Sequence, residues 1–581
     1  MNNEFVKPYI AQIYGVEPQK RYFVYPREIL VREQIFPYYV LDGGAFFFAC
    51  DHFGDATSDT LLEKTMSGEM FELLRDKDGR IDWGRAYHTA AETGMSKQHE
   101  WQSWPQRLYM LLPIGQAFLR TGDRKYSDEW LRILRDWIAD SPYESPDMQT
   151  SHVNTSMKWR DMQVSWRAMT LIHSVYLLGS HPDAFTRDEW KEIYEFIDLN
   201  LFHLASEGDF DRTVRRLGNH TLQMASALIS GGILFAELPR AREYFERGID
   251  IMTACFHANV MPDGGTREVG PSYNHFIARL YLEAQKHCEL NGYPEIDGLH
   301  DSVIRQYQWL ATVANKAGRS LRLSDAYGMD AHADVRLMGE IYPFEADFSK
   351  KSVWLKDSGY IMLRNTRSEM AIDAMRFFGG HQHYGRIQPL LWADGEEVLT
   401  DTGCCNYDRG DLYVWGMTAE AHSVITCDAF PLYTSKYDVE VLSFDGDANT
   451  VTACMTVSYE DRSYTWTRTI ALYEDGADFT DSIEADEEYA FKGRWYLPER
   501  ATAMEEYSGA ASPLLSGAGY FPMGHVARQR LGSGSVTVRC DELMEQDRTP
   551  AMTDENKLTY LERLTWTRSG KKFAVKTEIR Y

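Results

Sequence analysis

Residues 273–292, YNHFIARLYLEAQKHCELNG, and residues 299–318, LHDSVIRQYQWLATVANKAG, decide the first half of the fold. In both, apolar side chains recur three and four positions apart, the spacing of one helix face, and Gly292 and Gly318 close the runs. Together they read as a helical hairpin. The same unit returns upstream: 104–122 (WPQRLYMLLPIGQAFLRTG) with 127–140 (SDEWLRILRDWIAD), 164–179 (VSWRAMTLIHSVYLLG) with 187–205 (RDEWKEIYEFIDLNLFHLA), and 219–236 (NHTLQMASALISGGILFA) with 239–260. The pairs recur about every 55 residues, longer than common solenoid periods. Each opens on the more apolar helix and ends on the more amphipathic one, as a closed toroid of hairpins requires. An open helical solenoid is the alternative.

From about residue 345 the period changes to two. SGYIMLRN (358–365), EMAIDAMRFF (369–378), NTVTACMTVSYED (449–461), RSYTWTRTIALYED (462–475), ADFTDSIEA (477–485), GSVTVRCDEL (534–543), LTYLERLTWTR (558–568) and KKFAVKTEIRY (571–581) alternate apolar and polar residues between turns. Many short strands of this kind predict an antiparallel β-sandwich. The expected fold class is multidomain α+β. An aromatic lead-in covers 1–60, an N-terminal (α/α) toroid of helical hairpins covers 61–340, and an antiparallel β-sandwich region covers 341–581. No low-complexity linker separates the halves, so a ligand cleft between them is the default expectation.

The 581 residues carry 61 Lys+Arg against 86 Asp+Glu, a net charge of −25, which argues against a nucleic-acid or anionic-membrane surface. At 44% hydrophobic the chain can bury a large core. Its 15 Trp and 34 Tyr supply packing and, in part, rings of the kind that carbohydrate clefts use as platforms. No basic segment followed by an apolar run opens the chain, and no stretch approaches the roughly 20 apolar residues of a membrane-spanning helix. The eight cysteines lack CxxC spacing, so the expectation is a reduced, cytoplasmic protein. A homo-oligomer is compatible with the composition.

Four clusters could carry chemistry. Gly218-Asn219-His220 opens an apolar helix, preceded by Arg212, Arg215 and Arg216; Asn219 alone could simply cap that helix. PDGGTRE (262–268) is a turn between helices, followed by Ser272, Tyr273, Asn274 and His275 at the next helix entry. GGHQHY (379–384) places His381 and His383 on one face if the segment is extended. Asp401 in LTDTGCCNY and His422 in AHSVITCD complete the set: two histidines and a carboxylate suit zinc, or a hydrogen-bonded polar cluster without metal.

In this order the clusters resemble the heparinase II/III family of polysaccharide lyases, which includes alginate-lyase relatives. The matching elements are GNH, DGG…E…Y, GGHQH, EEVLTDTG and AHSVITCD, spanning about 200 to 430. The resemblance implies a toroid followed by antiparallel sheets, and β-elimination at a uronic acid that leaves an unsaturated uronate end. It implies that Asn219 and His220 contact the uronate carboxylate, that Tyr273 is the catalytic tyrosine, and that His381 is the catalytic histidine. It also implies that His383, Asp401 and His422 hold one divalent metal, zinc, in a structural role; no organic cofactor is expected. Arg267, Glu268, Arg386, Tyr413 and Trp415 are candidates to line the sugar site.

Two departures stand out: Gly385 occupies a position where family members often carry Asp, and Ser423 follows His422 where Asn is frequent. The expected partner is an anionic, uronate-containing oligo- or polysaccharide, glycosaminoglycan-type favoured. The net charge opposes long-range capture of a long polyanion and is a smaller handicap for short oligosaccharides. Two other readings remain open. A toroid-fold glycoside hydrolase would use a carboxylate pair such as Asp263 and Glu268, and a non-catalytic carbohydrate-binding protein would dispense with Tyr273.

Overall fold

A computed structural model describes residues 3–32, 58–83, 104–143, 157–159, 161–206, 217–326, 328–379, 381–404, 411–432, 437–505, 523–552 and 558–581. The chain divides into two compact units that interleave along the sequence. The first takes residues 1–260, 275–307 and 333–345; the second takes 261–274, 308–332 and 346–581. Residues 33–57 of the 1–60 lead-in and the Arg212, Arg215 and Arg216 cluster lie outside the described residues.

The first unit is helical hairpins packed in series. Leu111–Thr121 packs on Arg124–Asp140 and on Asp161–Leu178, which meets Arg187–Ser206 and Asn219–Leu234, and the last pairs with Ala241–Asn259. The expected alternation of apolar and amphipathic helices is present. Arg124–Asp140 buries Ser127, Trp130, Leu131, Ile133, Leu134 and Trp137, a single stripe. Its N-terminus is capped by Asp123, whose carboxylate accepts from the Lys125 N–H at 3.0 Å. Asn219–Leu234, in contrast, is buried at every position but His220. Two glycines let it approach its partner: a Cβ on Gly232 would lie 2.6 Å from the Ala241 carbonyl, and one on Gly248 would lie 2.9 Å from the Ile229 nitrogen. Among the described residues no helix is long and apolar enough to cross a membrane.

The second unit holds two antiparallel sheets. Strands β1 (Val353–Leu355), β2 (Tyr360–Arg364), β3 (Ser368–Asp373), β4 (Gln388–Ala393) and β5 (Glu396–Leu399) pair in sequence order. The larger sheet uses β6 (Ile425–Cys427), β7 (Tyr437–Asp445), β8 (Thr450–Tyr459), β9 (Arg462–Tyr473), β10 (Gly476–Leu497), β11 (Thr502–Glu505), β12 (Met523–Leu531), β13 (Gly534–Met552) and β14 (Leu558–Arg580). Its order is β11-β12-β13-β14-β10-β9-β8-β7, with β6 added alongside β10. One hydrophobic core joins the sheets, from Ile361, Met370 and Leu391 on one side to Trp466, Phe479, Trp495 and Trp566 on the other. This is a β-sandwich, as the sequence predicts.

The period-two expectation holds for β8 and β9, whose buried and partly exposed positions alternate. It fails for β2, β3 and β4, which are buried at every position. The reason is a cover on the smaller sheet's second face. Tyr360 donates its hydroxyl to the Val269 carbonyl at 2.7 Å and meets the Trp309 ring edge-on at 5.1 Å. The covering segments, 261–274 and 308–332, also bring candidate site residues to the sandwich.

Candidate active site

The PDGG turn is built as a clamp. Asp263 Oδ2 accepts from the Asp357 and Ser358 N–H groups at 3.0 and 2.7 Å and from the Ser358 hydroxyl at 2.9 Å, and Oδ1 accepts from the Gly265 N–H at 3.1 Å. Gly265 is required there, because a Cβ would lie 2.4 Å from that of Ser358. The clamp sets the start of Pro271–Asn291, and with it Tyr273, the third residue of that helix. Glu268 is buried beside it, followed by Val269 at φ +58°.

Tyr273 stacks on His381, ring centroids 3.8 Å apart and planes 19° from parallel. His381 lies in the loop between β3 and β4. Its Nδ1 is 2.8 Å from Asp325 Oδ2, and its Nε2 is 3.5 Å from Glu268 Oε2. His383 points Nε2 at the other oxygen of the same carboxylate, Asp325 Oδ1, also at 2.8 Å. Asp325 therefore serves both histidines of the HQH motif, a residue that sequence reasoning passed over. Burial would raise its pKa, but the bonds from His381 and His383 outweigh that and hold the carboxyl well below the usual carboxylate range.

His422 points Nδ1 at Asp401 Oδ2, 2.7 Å away, with both side chains wholly buried. Burial alone would raise the Asp401 carboxyl; the neighbouring His422 holds it below its ordinary value. Burial likewise holds the His422 imidazole below the usual histidine value, against the pull of Asp401. The rings of His383 and His422 stand 5.3 Å apart. His383 Nδ1 and His422 Nε2 are buried without a hydrogen-bond partner among the described residues. Those two nitrogens suit a cation. Asp401, however, is engaged by His422 and by the Gly403 N–H at 2.9 Å, and among the described residues no three His, Cys, Asp or Glu side chains converge on a metal position.

Asn219 and His220 belong to the first unit, at the start of Asn219–Leu234. Asn219 does not cap that helix: Gly218 holds the cap position, and the Asn219 side-chain oxygen accepts from Gln223 at 3.4 Å. Arg267 is exposed, with its guanidinium 6.0 Å from the Phe378 ring. Tyr413 and Trp415 are half-buried on Asp411–Met417, which is joined to the histidine loop by the Tyr384 N–H donating to the Met417 carbonyl at 2.9 Å.

Arg386 departs from the expectation of a sugar contact. It is 0% exposed, and its guanidinium is spent on Asp373, the His383 carbonyl and the Tyr437 hydroxyl. An arginine saturated in this way is an internal strut for the loop.

Helical hairpins followed by a two-sheet sandwich that carries a tyrosine–histidine pair define the toroid-plus-sandwich class. Two family descriptions match within it: Heparinase II/III N-terminus over residues 51–302, and Heparinase II/III-like, C-terminal, over 349–549. The chain belongs to the heparinase II/III-like family. A heparin-sulfate lyase of Bacteroides stercoris is 26% identical over 215 residues, which are 33% of this chain and 31% of that protein. One of Bacteroides thetaiotaomicron is 26% identical over 217 residues, 37% of this chain and 28% of that protein. The matched stretch thus spans about a third of the length of these curated relatives. A crystal structure of heparinase III shares the fold, with a TM-score of 0.70 over 95% of this chain and 93% of that one at 15% identity.

Proposed function

We propose that the chain is a lyase that cleaves uronate-containing, glycosaminoglycan-type oligo- or polysaccharides by β-elimination. The observation that carries this is the Tyr273–His381 stack, a phenol and an imidazole in contact, with the imidazole held from behind by Asp325.

Carbon 5 of a uronate loses its proton only if the charge developing on the carboxylate is stabilised. Asn219 and His220 are assigned that role; a preorganised donor contributes about 3 kcal/mol to such a step. Tyr273 protonates the departing glycosidic oxygen. Where proton and leaving group lie on one face of the sugar, the same phenol acts first as base and then as acid. Where they lie on opposite faces, His381 takes the proton. Tyr413, Trp415 and Arg267 are assigned to sugar contact. A divalent metal at His383, Asp401 and His422, zinc by expectation, belongs to the proposal as a support for the loop. Its basis is the two buried imidazole nitrogens without partners.

The hydrolase reading loses its carboxylate pair, because all the bonds of Asp263 are spent inside the fold. The test is a panel of uronate oligosaccharides followed by ultraviolet absorbance of the unsaturated product. Tyr273→Phe should lower kcat by about 10²- to 10⁴-fold. New reducing ends without that absorbance, or full turnover by Tyr273→Phe, would refute the assignment. Metal analysis of the purified protein and of His383→Ala tests the metal.

A further inference from the structure

The histidine loop is tied to one dipeptide, Ser324–Asp325, by four hydrogen bonds. The Asp325 N–H donates to the His381 carbonyl at 3.1 Å, and the Ser324 hydroxyl oxygen accepts from the His383 N–H at 3.4 Å. Asp325 Oδ2 takes His381 Nδ1, and Oδ1 takes His383 Nε2, each at 2.8 Å. Asp325 is 2% exposed, so the shared acceptor is buried, with the His383 bond wholly buried and the His381 bond partly so, and a charged acceptor there counts for most.

The backbone around this contact is strained. Ser324 stands at φ +60°, and the β-branched Val269 and Ile387 stand at +58° each, beside Glu268 and Arg386. Left-handed conformations of such residues cost of order 1 kcal/mol and persist only where the surroundings impose them. Here they flank residues that touch His381 or the loop carrying it.

We propose that Asp325 is the positioning residue of this site: its single carboxylate yokes His381 to His383 and fixes the tautomer of both. The role given to His381 rests on the lyase reading. A carboxylate has two acceptor oxygens and no donor, so it receives N–H from Nδ1 of His381 and from Nε2 of His383 together. That leaves Nε2 of His381, 3.5 Å from Glu268 Oε2, as the ring nitrogen Asp325 does not hold, and Nδ1 of His383 as the buried acceptor already noted. Asparagine has one acceptor and one donor at the same positions and can satisfy only one of the two imidazoles in its present tautomer.

The experiment uses the full chain labelled with ¹⁵N-histidine, as the parent and as Asp325→Asn. Signals are assigned with His381→Gln and His383→Gln. The parent should show His381 protonated at Nδ1 and His383 at Nε2, and in Asp325→Asn one of the two should switch. In progress curves of unsaturated product, Asp325→Asn should lower kcat at least about a hundredfold, as loss of a tautomer-fixing carboxylate does elsewhere, with KM within about threefold of the parent. Opposite tautomers in the parent, unchanged tautomers in the variant, or a loss confined to KM would each overturn the yoke. A parent that makes no unsaturated product removes the lyase reading instead, and the nitrogen signals then decide the yoke alone.

Discussion

Replacing Gly385 with alanine tests how closely the histidine loop is packed. A Cβ at this position lies 2.6 Å from Cβ, Cγ and Cδ2 of His422, and ordinary contact begins at 3.4 Å. One side must therefore yield by about 0.8 Å, the difference of those two distances. Neither side has slack. His422 is 0% exposed with Nδ1 held by Asp401 at 2.7 Å, and the residue after Gly385 is Arg386, anchored at three points. Overpacking of this kind costs about 1–3 kcal/mol. If the ring retreats and the Asp401 bond breaks, two buried groups are left unpaired, at about 1–3 kcal/mol more. The expected loss is about 1–3 kcal/mol with the Asp401 bond kept and about 2–6 kcal/mol with it broken. Urea unfolding of parent and Gly385→Ala, followed by circular dichroism at pH 7, measures it. A loss below about 0.5 kcal/mol would refute the reasoning, because the His422 ring would then move freely. An aspartate side chain here would press further on the His422 ring, so Gly385→Asp should cost more than alanine.

Arg468 binds Asp481 at 2.7 and 3.0 Å and donates Nη1 to the Ile387 and Ser423 carbonyls at 3.1 and 2.8 Å, so it anchors the residues next to Arg386 and His422 from inside the sandwich. Arg468→Met should cost about 3–5 kcal/mol by leaving the Asp481 charge buried without its cation, with only the Trp466 Nε1–H donor at 2.7 Å, and adding Asp481→Leu should recover part of it. Tryptophan fluorescence reads this directly, since Trp466 and Trp495 lie 4.6 and 4.7 Å from the guanidinium; strictly additive losses would sink the idea. Acid should weaken the helical unit. Burial lowers His173 and His287 from 6.5 to about 4 and about 3. The unfolded chain takes these protons first, so their contribution is whole above about pH 6.5 and lost as pH falls below it, by about 2 kcal/mol each at pH 5. Urea midpoints at pH 7 and pH 5 should differ accordingly, and His173→Gln/His287→Gln should remove most of the difference. An undiminished difference in that variant would acquit both histidines.

Periodicity carried most of the fold because the solvent boundary does. Arg124–Asp140 has one wet face and shows a clean stripe; Asn219–Leu234 is buried everywhere but His220 and shows none. The same logic separates the sheets. β8 and β9 have a solvent face and alternate, whereas β2 to β4 are covered on both sides. What covers them comes from 261–274 and 308–332, segments whose place on the sheet no local pattern announces. The interleaving of the two units is invisible to a linear reading for the same reason.

The site divides along a similar line. Tyr273, His381, His383, Asp401 and His422 sit in short motifs with turn glycines and could be picked out from the sequence. Asp325 could not, since it lies 56 positions before His381 and 58 before His383 and is followed by nothing that marks it. Arg386 misled for a complementary reason. An arginine beside a histidine motif resembles an anion contact, and only its burial against Asp373 shows that its charge is already spent. A charged residue therefore acquires its meaning from its partner. At Asp325, Asp263 and Arg386 the partner lies far along the chain or inside the core, so the chemistry was legible in the motifs while the hydrogen bonds that aim it were not.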